Sequence, residues 1–140
     1  MKTETRISPQ KQSRERGGAG VKLAIVLVVL FLVGHAGYNY IPVAYQCAEY
    51  KEKMSEVVMQ AYAMPNTPLN SLENVKAKLR KFGAENGVPA NAIIKVDKLS
   101  EGAMRAHVTF IKQVDILPFG IYRYDYNFNH TAQPTGFLTK

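Results

Sequence analysis

An α+β fold carried on one N-terminal transmembrane helix is predicted by three observations. No formally charged residue occurs from Leu23 through Ala48, and Leu23 to Val33 is wholly apolar. A stripe at helical spacing follows that run, and the last third of the chain holds three segments that alternate apolar and polar residues. With 140 residues and 15.6 kDa the chain has room for one domain of ordinary size beyond the helix, which excludes a multidomain enzyme. Its single cysteine excludes an intramolecular disulfide framework, a multi-cysteine zinc site and a CxxC redox pair.

Residues 1–20 are polar, lack an apolar period and end in a glycine cluster, a composition that does not repay its ordering entropy; a flexible basic cytoplasmic tail is expected there. Residues 21–41 are expected to cross a bilayer. Leu23 to Tyr40 as a helix measures about 27 Å at ~1.5 Å per residue, against a hydrocarbon core of roughly 30 Å. Tyr38, Tyr40 and Tyr45 stand where amphipathic rings lie among headgroups, and Lys22 closes the other border.

Six of the 18 Lys and Arg precede the span, whereas only Lys51 and Lys53 follow closely. The positive-inside bias therefore places the N-terminus in the cytoplasm and the rest of the chain outside, as in a bacterial inner-membrane protein with a periplasmic domain. The competing reading is a cleaved secretory signal, with Leu23–Val33 as its h-region and Gly34-His35-Ala36 before the cut.

The extracytoplasmic domain is expected to occupy residues 42–131, with a C-terminal tail over residues 132–140. Pro42 is expected to kink the helix as it leaves the membrane. Val43, Cys47, Tyr50, Met54, Val57 and Ala61 recur at steps of three and four, so the helix continues to about Tyr62 with this stripe buried. Glu49 and Lys53 have i,i+4 spacing for an ion pair. Met64 to Pro68 breaks the helix, and Thr67 as N-cap before Pro68 opens a second one, buried through Leu69, Leu72, Val75, Leu79 and Phe82. Gly83 or Asn86-Gly87 ends it.

Strands are expected over residues 92–99, 103–114 and 121–130, joined as an antiparallel meander by a tight and then a longer connection. Ala92, Ile94 and Val96, then Met104, Ala106, Val108 and Phe110, then Tyr122, Tyr124, Tyr126 and Phe128 share the core face. The other face carries His107, Thr109, Gln113, Arg123, Asp125 and Asn127. That face is polar enough to bind a ligand and equally suited to water.

His35 is the most suggestive single residue, because an ionisable group inside a membrane span is a functional candidate by default. It is a candidate ligand for a pigment or haem metal, or a donor to a neighbouring helix. It lies only about 7–8 Å along the helical rise from Tyr40, so interfacial water is the plainer partner. Together with Gly34, Gly37 and Asn39 it forms the expected contact with another integral membrane protein.

Lys76, Lys78, Arg80 and Lys81 suit anionic lipid headgroups, or simply complement a helix C-terminus in water. Nucleic acid is excluded by the outward topology. No GxSxG, HExxH, GxxxxGK[ST] or GxGxxG string occurs, and His107 with Asp125 lacks a nucleophile, so neither a catalytic residue, a metal site nor a cofactor is expected.

Several strings point to a family. They are Ile41-Pro42-Val43-Ala44-Tyr45 running into Tyr50-Lys51, Gly87-Val88-Pro89, and Val114-Asp115-Ile116-Leu117-Pro118 followed by Tyr126-Asn127-Phe128-Asn129-His130. Over most of residues 18–131 the chain resembles a family of small, uncharacterised bacterial single-pass membrane proteins with a short cytoplasmic tail and an extracytoplasmic α+β domain. The resemblance implies membrane anchoring and no catalytic residues. The expected function is that of a non-enzymatic accessory or structural subunit of a membrane protein complex. The alternatives are a secreted or tethered binding module using the polar sheet face and, least favoured, a small hydrolase.

Overall fold

The structure, a computed structural model, describes residues 18–64, 66–99 and 102–134. Two α-helices precede a three-stranded antiparallel sheet, an α+β arrangement. Helix α1 spans Gly18–Ala63, and its first turn takes up Gly18–Gly20 of the expected tail. The rest of that tail, and residues 135–140 of the expected C-terminal tail, lie outside the described residues.

Helix α1 is one unbroken element of 46 residues, about 69 Å at ~1.5 Å per residue. Pro42 stands inside it, not at a break. Lacking an N–H, it leaves the Tyr38 carbonyl without its intrahelical donor. Two stretches of α1 meet different surroundings. From Val21 to Val33 the large apolar side chains other than Leu32 are more than half exposed, whereas Cys47, Tyr50, Met54, Val57, Val58 and Ala61 are buried. The expected stripe is therefore the core face.

The chain reverses through a short 3₁₀ turn, Pro68–Asn70, before helix α2, Leu72–Glu85. Thr67 caps only that turn; the N-cap of α2 is Ser71, whose hydroxyl accepts from the Asn74 N–H at 3.4 Å. The start is displaced because Pro68 at N1 suits a 3₁₀ turn as well as an α-helix. Asn70 anchors the reversal, donating to the Met64 carbonyl at 3.0 Å. Val75 and Leu79 are buried, and Leu72 and Phe82 are half-buried.

Gly83 does not end α2 but sits within it, where a Cβ would lie 3.5 Å from the Tyr50 hydroxyl. Gly87, at φ +65°, makes the turn after the helix; the Val88 N–H reaches back to the Gly83 carbonyl at 2.8 Å. The expected Glu49–Lys53 pair is absent among the described salt bridges. Lys53 pairs with Glu56 at 2.9 Å, with both groups largely in water.

Strands β1 (Ile93–Lys98), β2 (Met104–Asp115) and β3 (Arg123–Ala132) pair in the order β1-β2-β3, both pairs antiparallel. The register sets Val108 opposite Ile94 and Phe110 opposite Phe128. Both helices cover one face, whose centre is aromatic. The Phe110 and Phe128 rings stack at 4.5 Å and Tyr50 tilts against both. The Tyr50 hydroxyl is satisfied by donating to the Leu79 carbonyl at 3.1 Å, and burial pushes its pKa up to about 12.

The aromatic row of β3 is core only in part. Phe128 is buried, but Tyr124 is 43% exposed, and Tyr122, expected in the strand but lying just before it, 54%. The hairpin runs past the edge of the core, so the same strand face is covered at one end and open at the other.

Phe128→Ala should therefore cost on the order of 3–5 kcal/mol, and Tyr124→Ala about 1 kcal/mol through its lost ring contact. Thermal melts of the full chain in mild detergent check this; equal losses would contradict the placement of the two rings.

Candidate functional site at the helix–hairpin junction

Helix α1 and strand β2 run antiparallel to each other, as three contacts show in order. Lys112 Nζ donates to Gln46 Oε1 at 3.0 Å, Asn39 Nδ2 donates to the Asp115 carbonyl at 2.8 Å, and His35 Nδ1 lies 3.3 Å from the Ile116 carbonyl. A carbonyl only accepts, so this contact is a hydrogen bond in the tautomer that carries its proton on Nδ1. The Asn39 amide lies 3.4 Å from Nδ1 and 3.5 Å from Nε2, both marginal contacts beside its bond to Asp115. Steps of four join His35, Asn39, Val43 and Cys47, which makes the two polar groups the upstream end of the core stripe.

Tyr40 completes the junction, its ring 6.2 Å from Tyr124 and 6.1 Å from Tyr126. Asp115 does not turn its carboxylate to His35; it pairs with Arg123 at 2.9 Å across the base of the hairpin. Between helix and hairpin lies an open recess of 270 Å³, lined by His35 and Asn39 from the helix and by Gln113, Asp115, Leu117 and Phe119 from the hairpin. Main-chain carbonyls take the available donors. The arrangement fastens a helix to a hairpin and sets up no proton-transfer pair.

The four residues expected to meet a second protein divide between two sides. His35 and Asn39 have partners within the chain, so their polarity requires no second protein. Gly34 faces open space, with nothing within 4 Å of where a Cβ would stand, and a Cβ on Gly37 would meet only Ile41, at 3.8 Å. At 3.6 residues per turn, Gly34, Tyr38, Ile41 and Tyr45 form one row opposite the core stripe, and the three large side chains are 66–80% exposed. Apolar period on the buried side of α1 does not reveal this row; its signal in the sequence is two tyrosines and an isoleucine at steps of three and four on the other side.

The other candidates are spread out. His107 is held between Thr131, at 2.8 Å, and Thr109, at 3.1 Å. Asp125 pairs with Gln113, which is six positions along β2 from His107, about 20 Å at ~3.3 Å per residue, so His107 and Asp125 do not meet. Lys76, Lys78, Arg80 and Lys81 lie before the last turn of α2, not in it, because the helix runs on to Glu85. Cys47 is buried and its thiol pKa is raised, chiefly by desolvation. His130 is lowered by burial and then by the Lys51 charge. No group of three or more metal-ligating side chains occurs among the described residues.

Comparison with protein-family models, curated proteins and solved structures finds no match.

Replacing both His35 and Asn39 by Leu removes the two hydrogen bonds at the end of β2, each contributing about 0.5–1.5 kcal/mol. Amide exchange over residues 115–122 should quicken while the Tyr50–Phe110–Phe128 core stays protected; unchanged exchange in the hairpin would show that the junction does not hold it.

Proposed function

We propose that the protein is a non-enzymatic accessory or structural subunit of a larger membrane protein complex, acting by contact. The observation that carries this reading is the continuity of α1. One helix supplies both the exposed apolar band, long enough to cross a membrane, and the buried stripe of the domain core. A domain built on its own anchor keeps one orientation to the bilayer and offers a fixed surface to a neighbour.

In this reading Leu23 to Tyr40 spans a bacterial inner membrane, the N-terminus is cytoplasmic and the domain is periplasmic, following the basic residues ahead of the span. The junction supports the anchored form over the secreted one: a cut after Ala36 would remove His35 from its place beside Ile116. A bend is expected at Pro42, where the Tyr38 carbonyl lacks its donor.

The surface offered to another integral membrane protein is the row of Gly34, Tyr38, Ile41 and Tyr45. Aromatic side chains anchor interfaces well, and Gly34 permits close approach of a second helix. The polar sheet face is the alternative binding surface. It is favoured less, because His107, Thr109 and Thr131 already satisfy one another.

A reporter fused at Lys140 should register outside the cytoplasm, and a cytoplasmic signal would end the topology. Solubilised gently from its own membranes, the chain should run on native gels well above its monomer-micelle size. Tyr38→Ser with Ile41→Ser, at about 1 kcal/mol or more each, should weaken that association roughly tenfold or more. A native protein that runs as a monomer would overturn the subunit reading.

A further inference from the structure

We propose that the β2–β3 hairpin tip, Ile116–Tyr122, is a second membrane-contacting element that dips into the outer interface of the bilayer beside α1. The inference rests on the anchored reading of α1 and adds a contact that reading does not contain.

The tip consists of Ile116, Leu117, Pro118, Phe119, Gly120, Ile121 and Tyr122, with no charge among them. Its solvent-facing members are large and apolar: Phe119 is 97% exposed, Ile121 73% and Tyr122 54%. Phe119 also holds φ at +62°, a left-handed conformation that a bulky L-residue rarely adopts. A turn made for water would place Gly, Asn or Asp there. Here the chain gives the position to the most exposed aromatic ring among the described residues.

Location identifies the occupant. The Ile116 carbonyl sits beside His35, and Leu117, Phe119 and Gly120 line the recess with His35 and Asn39. His35 is five residues before Tyr40, so the tip stands about 7–8 Å below the Tyr40 level on the helical rise. Interfacial elements bury their apolar faces to a similar depth, about 5–10 Å. The exposed apolar surface of the tip is thus continuous with that of the span. The Asp115–Arg123 pair across the hairpin base marks where charge resumes. Lipid, and not a soluble partner, is what a surface at that height meets.

The chain contains no tryptophan, so a single one reports its own surroundings. The full chain carrying Phe119→Trp, Ile121→Trp or, as a control for the anchor, Val28→Trp is reconstituted in phosphatidylcholine–phosphatidylglycerol vesicles. Quenchers are phosphatidylcholines brominated near the headgroup or near the acyl end. The expected result is blue-shifted emission at both tip positions, quenched more by the shallow bromines, with Val28→Trp quenched more by the deep ones. Water-like, unquenched emission at both tip positions beside a quenched Val28→Trp would overturn the tip contact and leave the anchor standing. Blue-shifted emission that no lipid quencher reaches would mean that a second copy covers the tip, and would overturn it too. An unquenched Val28→Trp would remove the anchor itself, and this inference with it.

Discussion

Two side chains on one turn of α1, His35 and Asn39, reach the Ile116 and Asp115 carbonyls where β2 ends, and they tie the hairpin to the helix upstream of the shared core. Without them the helix would first meet the sheet at Tyr40, whose ring lies against Tyr124 and Tyr126. With them, contact between helix and domain begins five residues earlier, at a level where the surrounding helix is still uncharged. Polarity inside an otherwise apolar stretch is thereby explained from within the chain.

The rest of the packing follows from the antiparallel course of α1 and β2. Moving up the helix from Asn39 to Gln46 to Tyr50 corresponds to moving back along β2 from Asp115 to Lys112 to Phe110. The core therefore lies well above the apolar band, around Tyr50, Phe110 and Phe128, and the hairpin turn lies beside it. Helix α2 closes the side of the core, brought near by Gly83 against the Tyr50 hydroxyl. Tyr40 bridges the two levels, its ring edge-on to Tyr124 and tilted against Tyr126, where β3 meets the edge of the core.

Much of this was legible in the residues. Period two in the last third and the stripe from Val43 to Ala61 specified the strands, their register faces and the buried side of α1, because burial on one face of a regular element leaves its period in the sequence. The exact helix start was not legible, since Thr67-Pro68 and Ser71 carry nearly the same capping chemistry and only the 3₁₀ turn separates them. Nor was the exposure of Tyr122 and Tyr124 legible: alternation gives a face but not how far along it the helices reach. The junction itself lay in plain view as steps of four from Val43 to Asn39 to His35. It was hidden because those residues are polar, and polar groups at helical spacing beside an apolar run do not say whether a second protein or the chain's own carbonyls stand opposite them.

If the junction fixes the domain to its helix, spin labels at Val29 in the apolar band and at Asn127 on the exposed side of β3 should report one distance in lipid nanodiscs; buried Cys47 does not compete for label. Pulsed electron resonance should then give a single narrow distribution in the otherwise unaltered chain, broadened when His35 and Asn39 are both replaced by Leu. A broad distribution in the unaltered chain, or one indifferent to the replacements, would mean that the domain swings on its tether and that these two bonds do not govern its orientation.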